Sequence, residues 1–256
     1  MVTRYAFTED QRERLAGIEA TWDSGTRALL DSLGVRSGWR CLEAGAGGGS
    51  IAAWMAERVS PDGSVLATDV DTTFLEPLAD DVLEVRRHDL TRDELPAESF
   101  DIVHARALLS WLGESDTLER LVGAVAPGGW LLIEDFDWAL GGPAEEATTA
   151  AKAFGALVEL IETSFGYDLH YGRTLRRRLE RAGLRHVGSD GRAFVVPGGS
   201  PGTAFERLSL LAHRETLVRS GALTEPEIDE LVDYLDDPAR HVVTPVLFAA
   251  WGRRSG

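Results

Sequence analysis

The stretch CLEAGAGGGSIAAWMAERV, residues 41–59, constrains this chain more than any other. Gly45, Gly47, Gly48 and Gly49 follow a short apolar strand that carries Leu42 and closes at Glu43. Glycine adopts positive φ at little cost and puts no Cβ between the main chain and a ligand. The pattern therefore predicts a buried strand, a tight turn and a helix. Ser50 is the expected cap of that helix, whose apolar face carries Ile51, Trp54 and Met55. Free N–H groups at such a helix start favour an electron-rich ligand lying against the backbone. A dinucleotide turn, or a turn with no ligand at all, satisfies the same glycine spacing.

The acid before the glycines separates these readings. Glu43 stands two residues before Gly45, giving E-x-G-x-G-x-G, where a dinucleotide turn usually has an apolar residue. In this the segment resembles motif I of the class I S-adenosylmethionine-dependent methyltransferases. A second acid supports it. The run SPDGSVLATDVD, residues 60–71, holds a Pro-Asp-Gly turn and a strand ending at Asp69, 24 residues beyond Gly45. That is the place of a carboxylate that accepts hydrogen bonds from both ribose hydroxyls, with Asp71 as the fallback and a cap on a following helix through Phe74 and Leu78 as the structural alternative.

Further segments extend the resemblance over about residues 35–140. A third strand ends in His88, Asp89 and Leu90; the resemblance implies that Asp89 meets the adenine amino group and that Leu90 covers the ring. FDIVHAR, residues 100–106, is similar to the family segment beneath the methionine end of the cofactor, so His104 and Ala105 are expected there. His104 is also a candidate for direct chemistry, though a lone histidine at a strand end is more often a structural hydrogen-bonder. Leu118, Leu121, Val122 and Val125 repeat at helical spacing until Pro127-Gly128-Gly129, and PGGWLLIEDFDW then resembles a signature of bacterial small-molecule methyltransferases.

What the resemblance implies can be stated whole. The fold is α/β, a Rossmann-like seven-stranded, mostly parallel sheet with helices on both faces and a helical lid. The cofactor is S-adenosylmethionine, held by Glu43, Gly45, Ala46, Gly47, Asp69, Val70, Asp89, Leu90, His104 and Ala105. The reaction is methyl transfer to a small-molecule acceptor in bacterial secondary metabolism. A protein of the same fold that binds the cofactor for a non-methylating reaction, or only senses it, is the alternative.

Acceptor recognition is expected from strand five and the lid: Trp111, Asp137, Trp138, Tyr171 and His213, with His170, Asp135 and His104 as the catalytic candidates. His170 and Tyr171 fall in GYDLHYG, read as a short mobile loop with Gly166 and Gly172 as flexible ends, where they either act on the acceptor or only pack the lid. Asp135 and Asp137 lie where some catechol methyltransferases hold magnesium, but two alternate acids on one strand end are more often one buried and one solvated, and no metal is expected.

Composition narrows the classes. With 26 basic against 42 acidic residues the net charge is −16, which repels a phosphate backbone, so no nucleic acid partner is expected. Lys152 is the one lysine among many arginines, in keeping with a GC-rich bacterial coding bias. The sole cysteine, Cys41, is inside the first strand, which excludes an intramolecular disulfide. The charged N-terminus and the lack of an 18-residue apolar run point to a soluble, cytoplasmic protein with no membrane partner.

No repeat or linker marks a second core, so residues 1–256 are read as one domain: an N-terminal helical cover (1–34), a cofactor-binding core (35–140) and helical lid insertions (141–183 and 201–237). The cover is expected to hold a helix capped by Thr8 and Gln11 and a second over Gly25–Leu33. Its aromatics Tyr5, Phe7 and Trp22 either pack on the core or cover the cofactor. Residues 184–196 and 241–254 are read as strands six and seven, and Thr224-x-x-Glu227 as a capping box. The arginines at 173, 176–178 and 181 read as a solvated face.

Overall fold

The computed structural model describes residues 9–113, 116–146 and 148–256; Tyr5, Phe7 and Thr8 lie outside them. Helix α1 (Glu9–Leu33) is followed by β1 (Arg40–Ala44), α2 (Ser50–Val59), β2 (Ser64–Asp69), β3 (Leu83–Arg87) and β4 (Phe100–Arg106). Next come α3 (Thr117–Ala124), β5 (Val125–Asp137), β6 (Gly142–Pro143), α4 (Thr148–Phe165) and α5 (Tyr171–Arg181). The chain continues through β7 (Arg185–Arg192), β8 (Val195–Pro197), α6 (Pro201–Arg219), α7 (Glu225–Asp236), β9 (His241–Val243) and β10 (Val246–Arg253). None of the described helices is long and apolar enough to cross a membrane.

Two compact units emerge. The sheet unit comprises Trp22–Phe136, Tyr171–Gly191 and Leu247–Gly256; the helical unit comprises the described residues through Thr21, Asp137–His170 and Arg192–Val246. Residues 171–183, which the sequence reading placed in a lid insertion, thus group with the sheet.

The sheet unit is built on seven strands in the order β3-β2-β1-β4-β5-β10-β7. β1 pairs in parallel with β2 and β4, β2 with β3, and β4 with β5. Strand side chains alternate between faces, and both faces are apolar. Cys41, Val65, Ala67, Ile102 and Leu132 pack with Leu30 of α1 and with Ile51, Ala52 and Met55 of α2. Leu42, Ala44, Leu66, Val103, Leu131 and Ile133 face Leu118 and Leu121 of α3 and Leu175 and Leu179 of α5. This is the expected three-layer, mostly parallel architecture.

Three local expectations are corrected. α1 is one helix, not two. Arg27 pairs with Asp23 at 3.0 Å, one turn earlier, bridging the turn that contains Ser24 and Gly25. The helix expected after Asp69 is only a 3₁₀ turn, Glu76–Leu78. The strand expected at 241–254 is broken at Thr244-Pro245. Proline offers no N–H to a ladder, and Thr244 is bonded to Phe194 through its N–H (2.9 Å) and its hydroxyl oxygen (3.0 Å). β9 consequently joins β6 and β8 in a separate three-stranded antiparallel sheet, while β10 joins the main one. The expected sixth strand is likewise divided, β7 ending at Arg192 and β8 starting at Val195.

In the helical unit α4 packs on β6 and α6 on β8, while α7 packs on α4 and α6. A Cβ at Gly17 would sit 2.6 Å from the Pro201 carbonyl, so the N-terminal part of α1 lies tightly on the start of α6. The capping box is present: the Thr224 N–H donates to the Glu227 carboxylate at 2.8 Å.

Candidate active site

The turn after β1 is held from below. The N–H groups of Gly45 and Ala46 both donate to the Thr68 carbonyl of β2, at 2.8 and 3.0 Å, and the Gly49 N–H donates to Ala46 at 2.9 Å. Gly45, Gly47 and Gly49 have φ of 70°, 55° and 84°, a region that disfavours any side chain. Gly49, not Ser50, is the N-cap of α2, and it makes no side-chain cap. It is there for space as well: a Cβ would lie 2.4 Å from Leu78 Cδ1.

Asp69 closes the turn. One carboxylate oxygen accepts the Gly47 N–H at 2.9 Å and the other the Asp71 N–H at 3.2 Å. Burial raises the Asp69 carboxyl from its usual range against the pull of these N–H donors. Val70 beside it is exposed. The third acid, Asp89, follows β3 and accepts from the Thr91 hydroxyl (2.6 Å), the Thr91 N–H (3.0 Å) and Arg92 Nε (2.8 Å), with Thr91 foremost in lowering its carboxyl. Leu90 and Ala105 are buried in the core cluster on the α3 side of the sheet. The structure thus brings Glu43, the glycines, Asp69 and Asp89 to the same ends of three adjacent parallel strands, the edge at which open α/β sheets bind ligands.

Behind the turn lies a buried charged network. Glu43 and His104 are register partners on β1 and β4. His104 Nδ1 is 2.6 Å from Glu43 Oε2, and Nε2 is 3.2 Å from Glu134 Oε2 of β5. The Thr26 hydroxyl donates to that Glu134 oxygen at 2.6 Å, and Arg106 bonds to Thr26 (3.1 Å) and Asp23 (2.8 Å) on α1. Burial alone would depress His104; the two carboxylates outweigh it and raise the ring to about 9. His104, read from the sequence as a candidate base and cofactor contact, is fully buried with both nitrogens engaged, and it clamps three strands. Thr26 and Glu134 were missed by sequence reasoning. Only Glu134 left a signal, as an acid inside the apolar WLLIEDF run.

Asp135 is likewise anchored, accepting from the Ser110 N–H (3.0 Å), the Ser110 hydroxyl (2.7 Å) and the Phe136 N–H (2.9 Å); burial nevertheless raises it to about 6. Trp111 ends the 3₁₀ turn Leu109–Trp111 beside this anchor. Trp22 is fully buried with its ring edge-on to Phe136 at 4.9 Å, which decides for the packing role. Tyr171 is not in a loop: it opens α5, lies in the core and carries Arg178 over its ring at 4.2 Å. Gly172 is no hinge either, since a Cβ would meet the Asp135 carbonyl at 2.4 Å.

In the helical unit Asp137 accepts the Ala139 N–H at 3.0 Å and lies 3.6 Å from Nδ1 of the exposed His170. Trp138 donates to the Tyr167 hydroxyl at 3.1 Å and packs on Phe205 and Phe154. His213 is on α6, its ring tilted at 43° against Phe165 with centroids 4.9 Å apart.

Fold and turn together define a Rossmann-like protein with a glycine-rich turn and two carboxylates at its strand ends. The methyltransferase domain family matches residues 42–131. Methyltransferase str2 of Strobilurus tenacellus is 38% identical over 143 residues, 55% of this chain and 51% of that protein. Phosphoethanolamine N-methyltransferase 1 of Triticum aestivum is 28% identical over 65% of this chain and 32% of that one. The chain spans about half the length of the fungal relatives it matches. Among solved structures, Haemonchus contortus phosphoethanolamine N-methyltransferase 2 in complex with S-adenosyl-L-methionine aligns with a TM-score of 0.61 at 18% identity, covering 98% of this chain and 59% of that one. An Aquifex aeolicus S-adenosylmethionine-dependent methyltransferase aligns at 0.51 and 16% identity, covering 94% and 99%. Residues 42–131 are thus a methyltransferase domain by family match, and the solved S-adenosylmethionine-dependent methyltransferases share the fold around it.

Proposed function

We propose that this protein transfers the methyl group of S-adenosylmethionine to a small-molecule acceptor, in bacterial secondary metabolism. The observation that carries the reading is the glycine turn tied to Asp69, with Asp89 on the next strand. Backbone N–H groups, a left-handed turn and two carboxylates suit a nucleoside with an attached amino acid. In this reading Asp69 and Val70 take the ribose, Asp89 and Leu90 the adenine, and Glu43, Gly45, Ala46, Gly47 and Ala105 the methionine end. His104 and Glu134 act through Glu43, holding its carboxylate in place.

The sulfonium of the bound cofactor supplies the reactive methyl group, so the chain's task is to align groups and exclude water. Orientation of this kind is worth about 7–11 kcal/mol, against about 3–5 kcal/mol for one general base. A dedicated base is thus not required of this site. Within the sheet unit, Trp111 and Asp135 are assigned to the acceptor. Within the helical unit, the acceptor candidates are Asp137, Trp138, His170 and His213. The relatives named for phosphoethanolamine support a small acceptor; the net charge of −16 argues against nucleic acid.

The test is a mass-spectrometric acceptor screen that follows S-adenosylhomocysteine formation. Acceptor-dependent production of S-adenosylhomocysteine is expected. Acceptor turnover without it would overturn the reading.

A further inference from the structure

The buried side of α6 carries polar groups with nothing to bond. Glu206, Ser209 and His213 follow at i, i+3 and i+7 on one face of the helix and are all buried, Glu206 to 1% and His213 to 9% exposure. Among the described residues, neither carboxylate oxygen of Glu206 has a hydrogen-bond partner, nor has Nε2 of His213. Such groups are nearly always paired inside proteins, and an ionised carboxylate there needs a counter-charge. The two cannot satisfy each other directly, because residues seven apart on a helix are separated by about 10 Å along its axis. Arg14, the cation that bears on His213, stacks over the Phe205 ring at 5.0 Å and bonds to Gln11 at 2.9 Å. Phe165 lies against His213, the ring centroids 4.9 Å apart.

We infer that this face of α6 binds a protonated amine, its ammonium group on the Glu206 carboxylate and its apolar body toward His213 and Phe165. The role of that amine as the methyl acceptor rests on the function proposed above; its binding does not. Amine chemistry is favoured by donor count and charge. A carboxylate offers about four lone-pair sites to two unpartnered oxygens, and an ammonium brings three donors together with the compensating charge. A hydroxyl brings one donor and no charge, and a carboxylic acid or phosphate brings like charge. Burial pushes the Glu206 carboxyl up to about 8, so without a ligand it holds its proton at neutral pH. An arriving cation ionises it. Desolvation and Arg14 lower His213, leaving a neutral imidazole whose Nε2 can serve a polar group on the ligand body. The net charge of −16 draws cations to the molecule at long range.

The probes are 2-phenylethylamine, 2-phenylethanol and 3-phenylpropionate, which share a body and differ in the head group. Each is equilibrated with the full chain at pH 7 and its retention measured by dialysis and mass spectrometry. The amine should be retained selectively, and Glu206→Gln, which keeps the shape, should weaken it by about 30-fold or more. Glu206→Leu should abolish retention while its melting temperature stays at or above wild type, which separates loss of a site from loss of fold. Equal retention of the three probes, no retention of the amine, or amine retention that survives Glu206→Gln would overturn the site. S-adenosylhomocysteine binding, followed in the same samples by calorimetry, reports on the methyl-transfer reading separately, since neither variant touches the glycine turn.

Discussion

At the scale of single residues, the protein is governed by how buried charges are matched. His104 is the clearest case, an imidazolium between Glu43 and Glu134 with Thr26 closing the set. Its folded value of about 9 lies above the ordinary 6.5, so the folded state binds the proton more tightly. The stabilisation is therefore complete below pH 6.5 and is lost as pH rises through about 9. Urea denaturation across this range should show wild-type stability falling, and His104→Leu should flatten the slope. At pH 7 that variant should cost about 3–5 kcal/mol, because it leaves two buried carboxylates without their cation. A second residue-scale prediction concerns Asp69. Asp69→Ala removes an anchor of Gly47 and the assigned ribose acceptor, so calorimetry should show S-adenosylhomocysteine affinity reduced by about 1.5–3 kcal/mol, with a smaller loss for Asp89→Ala. Equal affinity of wild type and Asp69→Ala would sink the ribose assignment.

At the scale of elements, glycines that read alike in the sequence do different work. Gly166 has φ 65° with open space around it and lies between α4 and α5, whereas Gly172 is inside α5 with the Asp135 carbonyl 2.4 Å from where a Cβ would be. Gly166→Ala should thus cost about 1–2 kcal/mol, the ordinary strain of a left-handed residue. Gly172→Ala must move α5 against β5 and should cost about 1–3 kcal/mol or more by overpacking. Denaturation midpoints for the two variants, combined with S-adenosylhomocysteine affinity, test this: a mobile-loop role for Gly172 would leave stability unchanged. The capping box of α7 is a further element-level check, since Thr224→Ala should lower stability by about 0.5–2 kcal/mol.

At the scale of the whole molecule, cofactor binding should be registered in discrete stretches of the sheet unit. Hydrogen exchange with S-adenosylhomocysteine present should slow at residues 44–50, 69–72 and 88–92, and at ligand 100-fold above its dissociation constant the protein should gain about 2.7 kcal/mol. Protection that leaves these stretches unchanged would place the cofactor elsewhere. Much of this organisation was legible in residues alone. The glycine turn, the acids at 43, 69 and 89, the alternating strands and the α7 capping box are local: each depends on φ preference, a period of two or a spacing of three, which the order of residues states directly. What the tertiary structure alone decided is non-local. No local signal pairs His104 with residues 61 and 30 positions away, carries α1 through Gly25, seats Gly172 on a neighbouring carbonyl, divides the C-terminal run between two sheets, or leaves Glu206 buried without a partner. The reason is physical: the free energy of a buried charge or a close contact depends on the group opposite it, and which group stands opposite is settled only when distant segments pack.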